Sequence, residues 1–452
     1  MKTIARILSM FVVAVLLVSG AFVFGFAASR AILAVNAPAA TAPSTASTSA
    51  LMNGTPAEFQ NDIPVFWEAW RIINDNFYKQ PIDQEKLTYG AVGGMVDALG
   101  DEHTAFVDPK RAEYLRSQLS GSFEGIGATV EMVNGRLTII APIKGTPAEK
   151  AGLKAGDVIL QVDDTLIQNM DVMQAISLIR GPKGTSVRLK VQRGTDPAFE
   201  LTIVRNTINV PEVESKMLEE DTIAYVQLTE FGDKAPSELR RALTQTLAKN
   251  PKALIFDLRG NPGGYLHIAI EVASEFIDQG KVVLVEKFKS GQKKTYDSQG
   301  GGVATKIPMV LLVNEGSASA SEILAASLRD YKRAIIIGQK TFGKGSVQTT
   351  HQLSDQSQLR VTIANFYSPL ETEINHVGIT PDIEVADPTE FERSRGIDPQ
   401  LQRAIELIKS GELQKMLPSS QKIEQVPSAE TGLLQDLFNR FALNWFTPRL
   451  PA

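Results

Sequence analysis

The sequence predicts a multidomain α/β plus β protein, in which a small β-rich domain precedes an α/β core and helical segments flank the two. Three observations carry this prediction. Apolar strand-like runs alternate with helical patterns from Asp221 to about Asp387. Short alternating segments separated by glycine turns fill residues 118–206. The chain has 452 residues, 43% of them apolar and 21% charged, which suffices for two or three globular domains. With 46 Lys plus Arg against 51 Asp plus Glu, the net charge of −5 gives no reason to expect a nucleic-acid surface. The absence of cysteine removes thiol nucleophiles, disulfides, iron–sulfur clusters and cysteine zinc sites together. The four histidines (His103, His267, His351, His376) form no HExxH pair, so neither a metal nor another cofactor is expected.

The elements follow in order. Lys2 and Arg6 precede an uncharged apolar run from Ile7 to Ala28, longer than a signal-peptide core of roughly 7–15 residues and about the length a spanning helix needs. Residues 1–36 are therefore expected to be a membrane anchor, or alternatively a long signal cleaved after Val35-Asn36-Ala37; both put the chain from Met52 onward outside the cytoplasm. Residues 37–54 are Ala, Pro, Ser and Thr without charge or period, a solvated tether. In the region 55–117, Val65, Phe66, Ala69, Ile72, Ile73 and Phe77 recur at helical spacing, as do residues from Leu87 to Leu99, and Gly100-Asp101 ends the second helix. Both helices read as packing or dimerisation elements.

In the 118–206 domain, Gly121, Gly125 and Gly127 precede the alternating stretch Ala128–Met132, and Asn134-Gly135 is a strong hairpin signal. Two short helices and three strands are expected after the hairpin. The glycine loop is not a phosphate cradle, because a strand and not a helix follows it. Free amides beside an open strand edge suit capture of a peptide carboxylate, with the peptide added as an extra strand. FEGIGATV followed by PIKGTPAEKAGLKAGDVILQVDD resembles a PDZ domain of the kind found in secreted proteases. That resemblance assigns Phe123, Glu124, Gly125, Ile126 and Gly127 to the peptide-binding loop.

The core reads as a strand over Thr222–Leu228, a helix over Ser237–Ala248, a doubly buried strand over Ala253–Leu258, a helix over Ile268–Phe276, a strand over Met309–Val313, a helix over Ala320–Asp330 and a strand over Ala334–Ile337. Ligands in such sheets sit at the carboxyl ends of strands, where three loops stand out. Arg259–Gly264 is either a tight turn or a backbone donor site for an oxyanion. Gly316–Glu322 opens a helix, where Ser319 is either one half of a capping box with Glu322 or a nucleophile at a positive helix end. Gly338–Gln348 nearly spells a P-loop, but Gly345 stands where a magnesium-ligating hydroxyl is needed and a strand follows, which argues against a nucleotide. Lys344, between two glycines in an uncharged stretch, is a candidate for a desolvated amine that serves a serine as base.

Taken together these stretches resemble the carboxyl-terminal processing peptidases, tail-specific serine endopeptidases with an inserted PDZ domain. The motifs run in order: YGAVGGMVDALGDEHTAFVDP, the PDZ segment, LRGNPGG, EGSASASEILAASLRDY, GQKTFGKGSVQT, LRVTIANFYSP and GITPDIEV. The resemblance implies an α/β, β-rich serine protease core over 207–388 and a C-terminal helical region over 389–452. It implies Ser319 as nucleophile, Lys344 as general base and Gln348 as the residue that orients the lysine. Oxyanion donors would be Ala320 and, in the glycine loop, Gly264 ahead of Gly263, while Arg180 would report PDZ occupancy to the catalytic residues. Implied partners are proteins with apolar C-terminal tails, an adaptor or activator, and a second copy of the chain. One departure is visible: Leu370-Glu371-Thr372-Glu373-Ile374 replaces the family's glycine-containing turn after Tyr367-Ser368-Pro369. The rival reading is a membrane-tethered peptide-binding scaffold without activity.

Overall fold

A computed structural model describes residues 63–168 and 170–417. The expected anchor, the tether and the helical pattern from Leu433 to Phe446 lie outside the described residues. No helix among the described residues is long and apolar enough to cross a membrane. The chain divides into two compact units after Leu87; the first carries the helix Pro64–Asn76, which starts at a proline suited to the first helical position.

The second unit is built on three substantial sheets. The core sheet has six strands in the spatial order Val213–Leu218, Ile223–Leu228, Ala253–Asp257, Met309–Val313, Ile335–Gly338 and Ile383–Glu384. Its first pair is antiparallel and the rest are parallel. Ala253–Asp257 and Met309–Val313 are buried at every position, as continuous apolar runs between two helical layers require. On one face pack Ala235–Leu247, Leu266–Ser274 and Ala320–Asp330, through Leu239, Leu243, Ile268, Val272, Ile323 and Leu324. On the other lie Leu407, Ile408 and Leu413 of the helices Pro399–Lys409 and Glu412–Met416.

The PDZ segment forms its own sheet, ordered Ala128–Val133, Arg136–Pro142, Asp157–Val162, Ser186–Arg193 and Phe199–Val204. Asn134 and Gly135 carry φ of 50° and 73°, the primed turn that dipeptide favours. Helices Pro147–Lys150 and Val172–Ile179 close the domain over Leu137, Ile139, Ile159, Val187 and Leu189.

A further five-stranded sheet was not foreseen. Gln358–Tyr367 pairs with Val282–Phe288 and Ser346–Gln352, and Val282–Phe288 with Lys293–Asp297. Ala105–Val107 also joins Gln358–Tyr367, with Ala105 opposite Arg360. The segment after the second predicted helix is therefore more than a packing element. It ties Thr104 to the strand Gln358–Tyr367, where Thr362 N–H donates to Thr104 Oγ1 at 3.1 Å.

Candidate active site

Two loops at the carboxyl ends of neighbouring parallel strands, Ala253–Asp257 and Met309–Val313, are tied side to side. Ser317 Oγ donates to the Leu258 carbonyl at 2.8 Å, Ala318 N–H to the Asn261 carbonyl at 3.0 Å, and Ser321 Oγ to the same carbonyl at 2.9 Å. Small residues around Ser319 permit this approach. A methyl group on Gly263 would stand 2.8 Å from Ser319 Cβ and 2.9 Å from the Ala320 nitrogen. Gly263 N–H is taken by Asn261 Oδ1 at 2.9 Å. The carbonyl of Gly263 accepts from Phe231 N–H at 2.8 Å, and Gly264 is bridged to Phe231.

Ser319 occupies φ 55°, ψ −113°, a backbone conformation that L-residues rarely adopt and that costs on the order of 1–3 kcal/mol. It sits at the sharp passage from strand to helix, immediately before Ala320–Asp330. The cap expected from Ser319-x-x-Glu322 forms around Glu322, whose Oε2 accepts from Ser319 N–H at 2.9 Å.

Glu322 does far more than cap. It is fully buried, and its Oε2 also accepts from Lys344 N–H at 2.8 Å, while Oε1 accepts from Gly343 N–H at 2.7 Å and Thr341 Oγ1 at 2.6 Å. One carboxylate oxygen is therefore shared by the backbone nitrogens of Ser319 and Lys344. Burial pushes the Lys344 amine below the ordinary lysine range; the Arg360 guanidinium adds to this and the Glu322 carboxylate opposes it.

Gln348 is placed differently from the expectation. Its side-chain nitrogen donates to Ser346 Oγ at 2.8 Å and Thr362 Oγ1 at 3.3 Å, and among the described residues no hydrogen bond joins it to Lys344. Behind Thr362 stand Thr104, whose Oγ1 accepts from Thr362 N–H at 3.1 Å, and Asp101, which accepts from Thr104 Oγ1 at 2.5 Å. His103, in the same turn, is half-buried; burial and the charge of Lys344 lower its basicity. Sequence reasoning gave His103 no role. Its signal, GDEHTAFVDP, was among the quoted motifs, but only the long-range strand pairing reveals its neighbour.

A family model for peptidase family S41 matches residues 222–385, and a PDZ domain model matches residues 138–193. The carboxy-terminal processing protease CtpA of Bacillus subtilis is 39% identical over 321 residues, covering 71% of this chain and 68% of that protein. The chain belongs to the carboxyl-terminal processing proteases. The carboxy-terminal-processing protease of Bartonella bacilliformis is also 39% identical over 321 residues, covering 70% of this chain and 73% of the relative. Among solved structures, a photosystem II D1 C-terminal processing protease matches with 29% identity and a TM-score of 0.45, over 73% of this chain and 95% of that one.

Like its relatives, this carboxyl-terminal processing protease is a serine peptidase that carries a PDZ domain. Of the predicted peptide-binding loop, Phe123, Glu124 and Gly125 belong to a ribbon, Ser122–Gly125 against Asn206–Asn209, while Ile126 and Gly127 lead into the strand Ala128–Val133. Glu124 accepts from Lys183 N–H at 3.1 Å. Arg180 stacks on Phe123 at 4.4 Å and on Tyr114 at 4.7 Å, and donates to Ser117 Oγ at 2.6 Å. It therefore touches the helix Pro109–Leu119 that leads into the domain, and among the described residues no bond or ring contact joins it to Ser319 or Lys344. A cavity of about 530 Å³ in this domain, between Pro147, Lys150, Lys183 and Arg205, contains none of the candidate residues.

Two further features lie at the protease's periphery. The atypical turn after Pro369 is made without glycine: Glu371 adopts φ 59° and is held by Lys287 at 2.9 Å and Lys293 at 2.8 Å. The first part of the C-terminal helical region packs against the glycine loop through side-chain bonds to Arg259. Arg259 bonds Asp398 at 2.8 and 2.9 Å, Gln400 at 3.0 Å, and the buried Asp257 at 2.6 Å.

Proposed function

We propose that this protein is a Ser–Lys endopeptidase acting outside the cytoplasm on proteins whose C-terminal tails are gripped by the PDZ domain. The observation that carries the reading is the Glu322 carboxylate, which holds the backbone of Ser319 and of Lys344 on one oxygen. Neutral Lys344 takes the proton from Ser319 Oγ as the oxygen attacks a peptide carbonyl. The oxyanion develops beside Ala320 at the helix start and the glycine loop. Of its two candidate glycines, Gly264 is the donor we assign, because Gly263 N–H is already engaged by Asn261. Protonated Lys344 then delivers its proton to the leaving amine, and water, deprotonated in turn by Lys344, hydrolyses the acyl-enzyme.

Gln348 acts by bracing the strand after Lys344 through Ser346 and Thr362. Arg180 senses the tail through Phe123 and passes the change to the helix Pro109–Leu119. The apolar run Ile7–Ala28 supports an extracytoplasmic, membrane-tethered location, and an adaptor and self-association belong to the same reading. The test is cleavage of an unfolded protein such as casein by the wild type, Ser319→Ala, Lys344→Ala and Lys344→Arg. All three variants should be inactive while retaining tail-peptide binding. Arginine fails with alanine because a guanidinium stays protonated. Hydrolysis surviving in Ser319→Ala would remove the nucleophile assignment, and an active Lys344→Arg would remove the base.

A further inference from the structure

Gln348 lies opposite Thr362 across the ladder between Ser346–Gln352 and Gln358–Tyr367, and its amide donates to Thr362 Oγ1 and Ser346 Oγ. On the other edge of Gln358–Tyr367, the short strand Ala105–Val107 ends with Ala105 opposite Arg360. Continued in the same antiparallel register it would set residue 103 opposite Thr362, but the strand stops first, and a side chain takes the place of the next rung. Thr104 Oγ1 accepts the Thr362 N–H at 3.1 Å. A threonine hydroxyl has a single hydrogen, and that of Thr104 goes to Asp101 Oδ2 at 2.5 Å, which leaves its oxygen free to accept. The other carboxylate oxygen, Asp101 Oδ1, accepts the His103 N–H at 3.1 Å and closes the turn. Donation is thus directed from one end, by a carboxylate that only accepts.

The plain reading makes this an ordinary Asp-closed turn. Its place in the sheet gives it more to do. The Lys344 loop is held on two sides: Lys344 N–H is fixed to Glu322 Oε2, next to Ser319, while the strand that begins two residues later is fixed by Gln348 through Ser346. The second hold ends on Thr362, the residue that the buried Thr104 secures from behind. The segment also has fastenings of its own. Tyr89 stacks on Phe106 at 5.2 Å, and its hydroxyl donates to Asp355 Oδ2 at 2.9 Å in the turn between the two longer strands. Removing the Thr104 hydroxyl therefore leaves the segment attached and alters one rung of the ladder. Asp101 and Thr104 both lie outside residues 222–385 and 138–193, the stretches matched by the peptidase and PDZ models.

We propose that Asp101 and Thr104 are positioning residues for the catalytic base: the carboxylate orients the Thr104 hydroxyl, the hydroxyl holds the Thr362–Gln348 rung, and the rung sets the strand that follows Lys344. The N-terminal turn is on this account part of the catalytic machinery. The inference rests on the Ser–Lys reading.

The test measures kcat and KM of the full chain on a quenched fluorescent peptide, for wild type, Thr104→Val, Thr104→Ser, Asp101→Asn, Gln348→Ala and the double variant Thr104→Val with Gln348→Ala. Valine keeps the shape of threonine but leaves the Thr362 N–H without its acceptor, and kcat should fall roughly tenfold with KM unchanged. Thr104→Ser, which keeps the hydroxyl, should recover most of that loss. Asp101→Asn no longer fixes where the hydroxyl hydrogen points and should lose in the same direction by less. The deciding comparison is the double variant: once Gln348 is gone the rung has nothing to hold for Lys344, so Thr104→Val should cost less than about twofold further. Losses that multiply in the double variant, a wild-type kcat in Thr104→Val, or a fall in Tm without a fall in kcat would overturn the proposal and leave the turn a structural one. Should Thr104→Val fail to fold, the same cycle run with Asp101→Asn and Gln348→Ala decides by the same criterion. Hydrolysis by Lys344→Ala would instead overturn the Ser–Lys reading, so the two failures are distinguishable.

Discussion

Replacing Glu322 by glutamine changes one atom and should nevertheless disable the enzyme. Each carboxylate oxygen accepts from two donors: Ser319 and Lys344 N–H on Oε2, Gly343 N–H and Thr341 Oγ1 on Oε1. An amide has one accepting oxygen, so one pair must face an NH₂ group that also donates. The Thr341 hydroxyl can turn away but a backbone N–H cannot, and the lower-energy orientation strands Gly343 N–H in a buried site. An unsatisfied buried donor costs about 1–3 kcal/mol. Expressed in the barrier, that is roughly a 5- to 150-fold loss in kcat/KM. On the proposed roles of Ser319 and Lys344 the loss should fall mainly in kcat, because the clamp sets the relation of those two residues and not the peptide groove. Glu322→Ala releases all four donors and should lower Tm as well. Kinetics on a quenched fluorescent peptide together with thermal melts separate the two effects. Wild-type kcat/KM and Tm in Glu322→Gln would refute the claim that this carboxylate holds the dyad together.

Gly263→Ala should be inactive and less stable, since the new methyl would stand 2.7 Å from the Ala318 carbonyl and 2.8 Å from Ser319 Cβ at a residue with φ 102°; an active variant would mean that the two loops are not held this close. Glu212 provides a prediction about pH. It lies buried between Gly121 and Gly232, and burial pushes its carboxyl up to about 7, with the charges of Glu238 and Glu230 acting in the same direction. Lys234 does not neutralise it, because its amine bonds the Gly121 carbonyl and Asn209 Oδ1. With the folded value raised above the unfolded one, the contribution to stability is complete below about pH 4.5 and is lost as pH rises through about 7. Glu212→Gln, neutral throughout, should therefore gain in Tm relative to wild type between pH 5 and pH 8. A difference that stays constant with pH would count against the buried acid.

The fold was legible where residues report directly on burial. ALIFDL reads as a strand buried on both faces, MVLLV as a strand, and the alternation around Asn134-Gly135 as a hairpin. The loops of the proposed site stood out in the sequence because small residues cluster beside Ser319 and Lys344. What escaped were pairings between distant parts of the chain. Nothing near Ala105 announces a partner at Arg360, and so neither the second protease sheet nor the neighbourhood of His103 could be read from local periodicity. The same holds for Arg259 and Asp398, whose bonds join the glycine loop to the C-terminal region. Gln348 was expected on Lys344 from its position in the motif, but strand pairing sets Gln348 opposite Thr362 and fixes its amide there. Glu322 was seen as a helix cap because a cap is local, while its other three bonds arrive from the loop at 341–344.

The central claim is that Ser319 is the nucleophile and that Lys344 activates it. Labelling with a fluorophosphonate across a pH series, with the modified residue mapped by mass spectrometry, tests both halves at once. The account predicts a single adduct on Ser319, formed at a rate that rises with pH through the deprotonation of Lys344 and that collapses in Lys344→Ala. Labelling at another residue, or an undiminished rate on Ser319 without the lysine, would contradict it.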